Sequence, residues 1–189
     1  MKPERKLKAR HLAMCALFSA LIAIGAFIQI PVPFMDYFTL QFLFVILSGM
    51  LLGARRASIS VGVYVAVGLC GIPVFAAGGG PQYVLRPSFG YLLGFIAAAA
   101  VVGLLCRKLK AQRFPQYFLA SLGGLLITYT IGFAYKYLIL NCYLGESAPL
   151  SLVILSAFPL DLPGDVVLCV VGSALAGRLS RILRKENLL

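Results

Sequence analysis

Long apolar runs separated by short polar breaks make up most of this chain, and six of them predict helices able to cross a bilayer. They lie near 12–30, 38–54, 57–75, 88–106, 116–140 and 162–182. A crossing helix needs about 20 predominantly apolar residues, and its backbone polar groups must be satisfied internally because lipid offers no partners. The second and third runs are joined only by the tight turn "GARRA" at 53–57. A shorter apolar stretch at 150–158 is too brief to span. It predicts a helix at the outer interface or folded back over the bundle. No soluble domain, linker or internal repeat interrupts the pattern, so the expectation is one all-α integral membrane domain over 1–189 with six transmembrane helices.

Composition agrees with lipid as the solvent. Residues are 61% hydrophobic and 12% charged, with a mean hydropathy of +0.95, too few polar groups to cover a water-exposed surface. The net charge of +11 would suggest a nucleic-acid partner, but the placement of the charges says otherwise. Lys2, Arg5, Lys6, Lys8 and Arg10 precede the first run, and Arg55 and Arg56 follow the second. Arg107, Lys108, Lys110 and Arg113 follow the fourth, and Arg178, Arg181, Arg184 and Lys185 end the sixth. If the runs alternate in direction, these fifteen of the seventeen basic residues share one side. Excess Lys and Arg mark the cytoplasmic face, which places both termini in the cytoplasm. The first run is longer than a signal-peptide core and "IPVPFMDYF" follows it in place of a cleavage site, so it reads as a retained span. Cys15, Cys70, Cys106, Cys142 and Cys169 match no metal or disulfide spacing and read as small buried hydrophobes. With His11 the single histidine, no zinc site is expected.

Small residues spaced by about one turn recur at Ala13, Ala16, Ala20 and Ala23, at Gly49 and Gly53, at Gly90 and Gly94, and at Ser173 and Gly177. Such spacing lets helix backbones approach closely in a membrane. The later pairs predict packing inside the bundle, whereas Ala13, Ala16 and Ala20 suit either internal packing or a face for a partner subunit.

The remaining polar groups gather at the outer ends of the helices. Residues 71–91, "GIPVFAAGGGPQYVLRPSFGY", join backbone freedom, polarity and charge in one connection. Gly78, Gly79, Gly80, Gln82, Tyr83, Arg86, Lys136, Asn141 and Asp165 all map to this side. Each has an ordinary reading: Arg86 as a loop charge, Lys136 snorkelling to the interface, Asp165 answering a helix N-terminus with Asp161 as its cap. A charge at mid-bilayer depth costs about 2.5–3.5 kcal/mol, however, so such groups are usually paired or face a wet cavity. An outward-facing pocket for a small molecule accounts for all of them together. Enzyme readings fail for want of parts: the glycine run fits neither a phosphate loop nor a dinucleotide fingerprint, and the outer face has no histidine for a catalytic set. Acidic rings or repeated filter sequences that would mark a channel are missing as well.

These segments resemble the BioY family, the biotin-binding S components of energy-coupling factor (ECF) transporters. The resemblance runs over nearly the whole chain, through "TLQ" at 39–41, "GARRA", "YVAVGLCGIPVFAAGGGP" at 64–81, "PSFGYLLGF" at 87–95 and "LPGD" at 162–165. It implies an S-component bundle in a prokaryotic plasma membrane that captures biotin from outside without a cofactor or catalysis of its own. Ala13, Ala16 and Ala20 would contact the coupling transmembrane subunit, which joins two cytoplasmic ATPase subunits. Carried over, Asp165 would accept hydrogen bonds from the ureido N–H groups, and Gly78, Gly79 and Gly80 would form the wall for the bicyclic ring. Tyr83 and Tyr91 would add aromatic or hydroxyl contacts. Many members carry a lysine three residues after the aspartate, where this chain has Leu168. The biotin carboxylate would then fall to Arg86, favoured for its planar guanidinium, or to Lys136. An S component for another vitamin, or a six-helix assembly protein, is the alternative.

Overall fold

The computed structural model describes residues 3–30, 38–157 and 161–185, with side chains over 9–30, 38–157 and 161–183. Lys2, residue 158 at the end of the predicted short helix, and most of "IPVPFMDYF" lie outside the described residues. The order is α1 (Pro3–Phe27), β1 (Gln29–Ile30), β2 (Phe38–Thr39), α2 (Gln41–Leu52), α3 (Ala54–Leu69), a 3₁₀ turn (Pro81–Leu85), α4 (Phe89–Lys108), α5 (Phe114–Leu138), a π turn (Ile139–Tyr143), α6 (Leu150–Leu155) and α7 (Asp161–Lys185).

Four stretches among the described residues are long and apolar enough to cross a membrane: Ala9–Phe27, Phe89–Lys108, Phe114–Tyr143 and Asp161–Leu183. The second and third predicted spans come out shorter. α2 has 12 residues and α3 has 16, rising about 18 and 24 Å at 1.5 Å per residue. The run at 38–54 loses its start because Phe38 and Thr39 pair in strand with Ile30 and Gln29. This small antiparallel ribbon departs from the all-α expectation. The run at 57–75 ends at Leu69 because Gly71 turns at φ +102° and Pro73 cannot donate to a helix. The predicted helix at 150–158 is observed over Leu150–Leu155.

Close backbone approach assembles the bundle. α4 packs most extensively on α5 and also on α2 and α3. A Cβ at Gly94 would stand 2.9 Å from Thr128 O, and one at Gly49 would stand 2.9 Å from Ala99 O, so both glycines are interhelical contacts. Gly53 and Gly177 have open space where a Cβ would stand. Gly53 serves instead as the α2–α3 turn at φ +76°. α1 buries Phe18, Ile22 and Ala26 against α2 and α3 and leaves Ala13, Ala16 and Ala20 exposed. Ser19 Oγ donates to Ser60 O at 2.7 Å, tying α1 to α3. Of the cysteines, Cys106 and Cys169 are buried and Cys15 is half-buried, but Cys70 and Cys142 are exposed at segment ends. For these two the buried-hydrophobe reading does not hold.

Candidate functional site

The N-termini of α2, α4 and α7 meet the C-terminal part of α5 at one end of the bundle, around a cavity of about 460 Å³. That volume lies within the range of small-molecule sites, about 300–1,000 Å³. Sequence spacing explains how each helix presents its polar groups. Asp161 and Asp165 are four residues apart on α7, and Tyr129 and Lys136 are seven apart on α5, so each pair shares a helix face. All four line the cavity. Asp165 is 9% exposed, and Tyr129 Oη donates to its Oδ2 at 2.9 Å. Lys136 Nζ donates to Ser156 Oγ at 2.9 Å and lies close enough to Asp161 to act on it electrostatically.

α2 contributes an amide to the cavity wall. Gln41 is buried, and its Nε2 donates to Tyr64 Oη at 2.5 Å, which in turn donates to Val74 O at 3.2 Å. Thr39 Oγ1 donates to Gln41 Oε1 at 3.2 Å. Both ends of the amide are therefore fixed in orientation. Aromatic rings fill most of the remaining wall: Phe38, Phe42, Tyr83, Tyr91 and Phe95. Tyr91 packs edge-on against Tyr129, with ring centroids 5.7 Å apart. Ser88 Oγ and Tyr91 Oη are buried on this wall without a hydrogen-bond partner among the described residues. Buried hydroxyls are normally satisfied, so these two are exceptions on the wall.

Of the predicted ligand residues, Tyr83, Tyr91, Lys136 and Asp165 line the cavity together, while Gly78, Gly79, Gly80, Gln82, Arg86 and Asn141 do not. The glycines act one layer behind the wall. Gly80 N donates to Gly68 O at 2.8 Å, and Phe75 and Gly78 exchange hydrogen bonds of 2.9 and 3.1 Å. A Cβ at Gly79 would collide with the Ile72 backbone, and one at Gly68 with the Phe75 ring. The connection thus folds flat onto α3, burying Phe75 against Tyr64 and Tyr83 at centroid distances of 5.5 and 4.5 Å. Between α3 and α4 it presents Ala76, Tyr83, Pro87 and Ser88 to the cavity. Gln82 turns back to Gly79 O at 3.0 Å. Arg86 is exposed, with its guanidinium 5.3 Å from the centroid of the Tyr83 ring. Asn141 donates to Tyr137 O and Ala148 O, both at 3.0 Å, and holds a loop together.

Sequence reasoning assigned no binding role to Gln41, Tyr129, Asp161 or Ser88. The shared faces of α5 and α7 were signals for Tyr129 and Asp161. An isolated amide at the head of "QFLFVIL" was the signal for Gln41.

A family model described as the BioY family matches residues 1–185. The chain is 42% identical over 176 residues to the probable biotin transporter BioY of Lysinibacillus sphaericus, an alignment covering 93% of this chain and 89% of that one. It is 41% identical over 141 residues to the biotin transporter BioY of Thermotoga maritima, covering 72% and 78%. Its fold matches the crystal structure of the S-component for biotin from an ECF-type ABC transporter with a TM-score of 0.81 and 27% identity, over 96% of this chain and 95% of that chain. By its sequence over residues 1–185, and by its fold, the chain belongs to the BioY family.

Proposed function

We propose that this chain is the biotin-capturing membrane subunit of an ECF-type transporter, a single domain in the plasma membrane of a prokaryote. The observation that carries this reading is the chemistry of the cavity wall. Biotin has a ureido head with two N–H donors and a carbonyl, an apolar fused ring, and a flexible tail ending in a carboxylate. The wall supplies a buried carboxylate at Asp165, an oriented amide at Gln41, an aromatic lining, and a cation at Lys136. Asp165 takes the ureido N–H groups and Lys136 takes the carboxylate. The BioY names of its relatives support the choice of biotin over other vitamins. A thermal-shift screen of the B vitamins tests it: biotin alone is expected to raise the melting temperature, and stabilisation by a different vitamin would overturn the assignment.

With Lys136 as the carboxylate partner, Lys136→Met is expected to weaken biotin binding about tenfold. That corresponds to the loss of roughly 1.4 kcal/mol for a charge-assisted hydrogen bond at a half-buried site. Arg86→Ala is expected to stay within about twofold of the parent, since Arg86 lies off the wall. Calorimetric titration of both variants distinguishes the two cations, and the reverse order would return the carboxylate to Arg86.

The membrane arrangement completes the reading: six crossings, with both termini and the basic turns in the cytoplasm and the cavity outside. α2 and α3 cross as short helices with local thinning of the bilayer, an accommodation of modest cost. ATP hydrolysis belongs to two cytoplasmic ATPase subunits, and the coupling transmembrane subunit meets α1 along Ala13, Ala16 and Ala20. Their exposure supports that contact, because small side chains allow close helix approach. Accordingly, Ala16→Leu is expected to leave biotin affinity unchanged and abolish uptake in cells that also make the coupling subunits. Uptake at the parental rate would place the contact elsewhere.

A further inference from the structure

The segment from Lys136 to Ser156 closes on itself at the edge of the cavity. Lys136 Nζ donates to Ser156 Oγ at 2.9 Å, and Ser156 Oγ donates to Val153 O at 2.7 Å. The serine proton is therefore committed to α6, and its lone pairs are left for the ammonium. Between these ends, Asn141 bridges Tyr137 O and Ala148 O, and Glu146 N donates to Leu140 O at 3.0 Å. Leu140, in the π turn, lines the cavity. π turns interrupt helices at functional sites more often than chance would give.

α6 itself is weakly held. Val153 and Ala157 are buried, but Leu150, Leu152, Ile154 and Leu155 are exposed. Six residues are far too few for a helix to persist on its own, so α6 depends on its docking contacts. The Lys136–Ser156 bond is one of them, and it joins α6 to the cavity's cation.

We infer that Ser156 is a positioning residue: it holds the Lys136 ammonium at the cavity wall and ties α6 to the carboxylate end of the bound ligand. The inference rests on the biotin reading above. Lysine carries its charge on a flexible four-carbon stem with three donors. One donor anchored on Ser156 restricts the stem before the ligand arrives, and such preorganisation lowers the ordering cost of binding. A carboxylate accepting a second donor then completes a bridge from ligand through Lys136 and Ser156 to α6. The occupied cavity holds α6 down, and α6 in turn slows departure of the ligand.

The test compares biotin with biotinamide, its neutral carboxamide, on the full chain in detergent. Ser156→Ala is expected to weaken biotin binding about fivefold, through faster dissociation, while biotinamide stays within about twofold. Ser156→Thr, which keeps the hydroxyl, is expected to restore the parental preference. Equal weakening of both ligands would mean that Ser156 merely supports the fold, and no change with either would mean that Lys136 needs no anchor. Each of these results overturns the inference while leaving the biotin reading intact, provided the parent prefers biotin to its amide. A parent that binds neither would overturn both.

Discussion

Replacing Asp165 by asparagine is expected to weaken biotin binding about a hundredfold without lowering the melting temperature of the unliganded protein. Asparagine matches aspartate in shape and can still accept from Tyr129 Oη through its carbonyl oxygen. What it lacks is the negative charge, and its second polar atom donates where the carboxylate accepts. A ureido N–H facing that amide nitrogen has lost its acceptor. Hydrogen bonds to charged groups contribute about 1.5–3 kcal/mol, and a donor left unpaired in a closed site adds its own penalty. Together these reach the two orders of magnitude expected.

The stability half of the prediction follows from the same burial. Asp165 is 9% exposed, and among the described residues the hydrogen bond it accepts comes from a neutral hydroxyl, that of Tyr129. A carboxylate held away from water with so little compensation costs the empty fold free energy. Removing the charge should leave the melting temperature level or raise it. Equal biotin affinities for Asp165→Asn and the parent would remove Asp165 from the site. A large fall in melting temperature would make it a structural residue.

Gly68→Val is expected to damage both binding and stability although Gly68 lies outside the cavity lining. Its Cβ would overlap the Phe75 ring, and its carbonyl receives the Gly80 N–H that folds the glycine-rich connection onto α3. Phe75 is 1% exposed and wedged between Tyr64 and Tyr83, so it has nowhere to move. Overpacking of this kind costs about 1–3 kcal/mol, and here the strain falls on the wall that presents Ala76 and Tyr83. The melting temperature should fall, and biotin affinity should drop by at least about tenfold. Titration and thermal shift on the same preparation check both halves. Parental binding in Gly68→Val would mean that this wall is not rigidly coupled to Phe75.

The glycine-rich connection shows where sequence reading succeeds and where it stops. Apolar run length placed α4, α5 and α7 to within a few residues, because lipid demands continuous hydrogen-bonded backbone, while α1 extends back into the basic leader to Pro3. The same rule overestimated α2 and α3, since run length is blind to strand pairing by Phe38 and Thr39 and to the turn at Gly71. Polar residues at one set of helix ends were legible as a cluster, and four of the ten predicted ligand residues do share the cavity. Which way each one points was not legible. Arg86 and Tyr83 are three residues apart in one turn, yet only Tyr83 faces inward. Gly78, Gly79 and Gly80 read as a wall for the ligand, yet Gly79 stands against the Ile72 backbone, and Gly78 and Gly80 bond to the backbone of Phe75 and Gly68. Gln41 and Tyr64 are separated by 23 residues. Their bond exists only because α2 and α3 pack together, which no local pattern encodes.

Calorimetric titration of the purified full chain with biotin, in detergent and with neither ATP nor any other subunit present, tests the central claim most directly. Saturable binding of one biotin per chain, accompanied by a rise in melting temperature, is the predicted result. No heat and no thermal stabilisation at saturating biotin would contradict it.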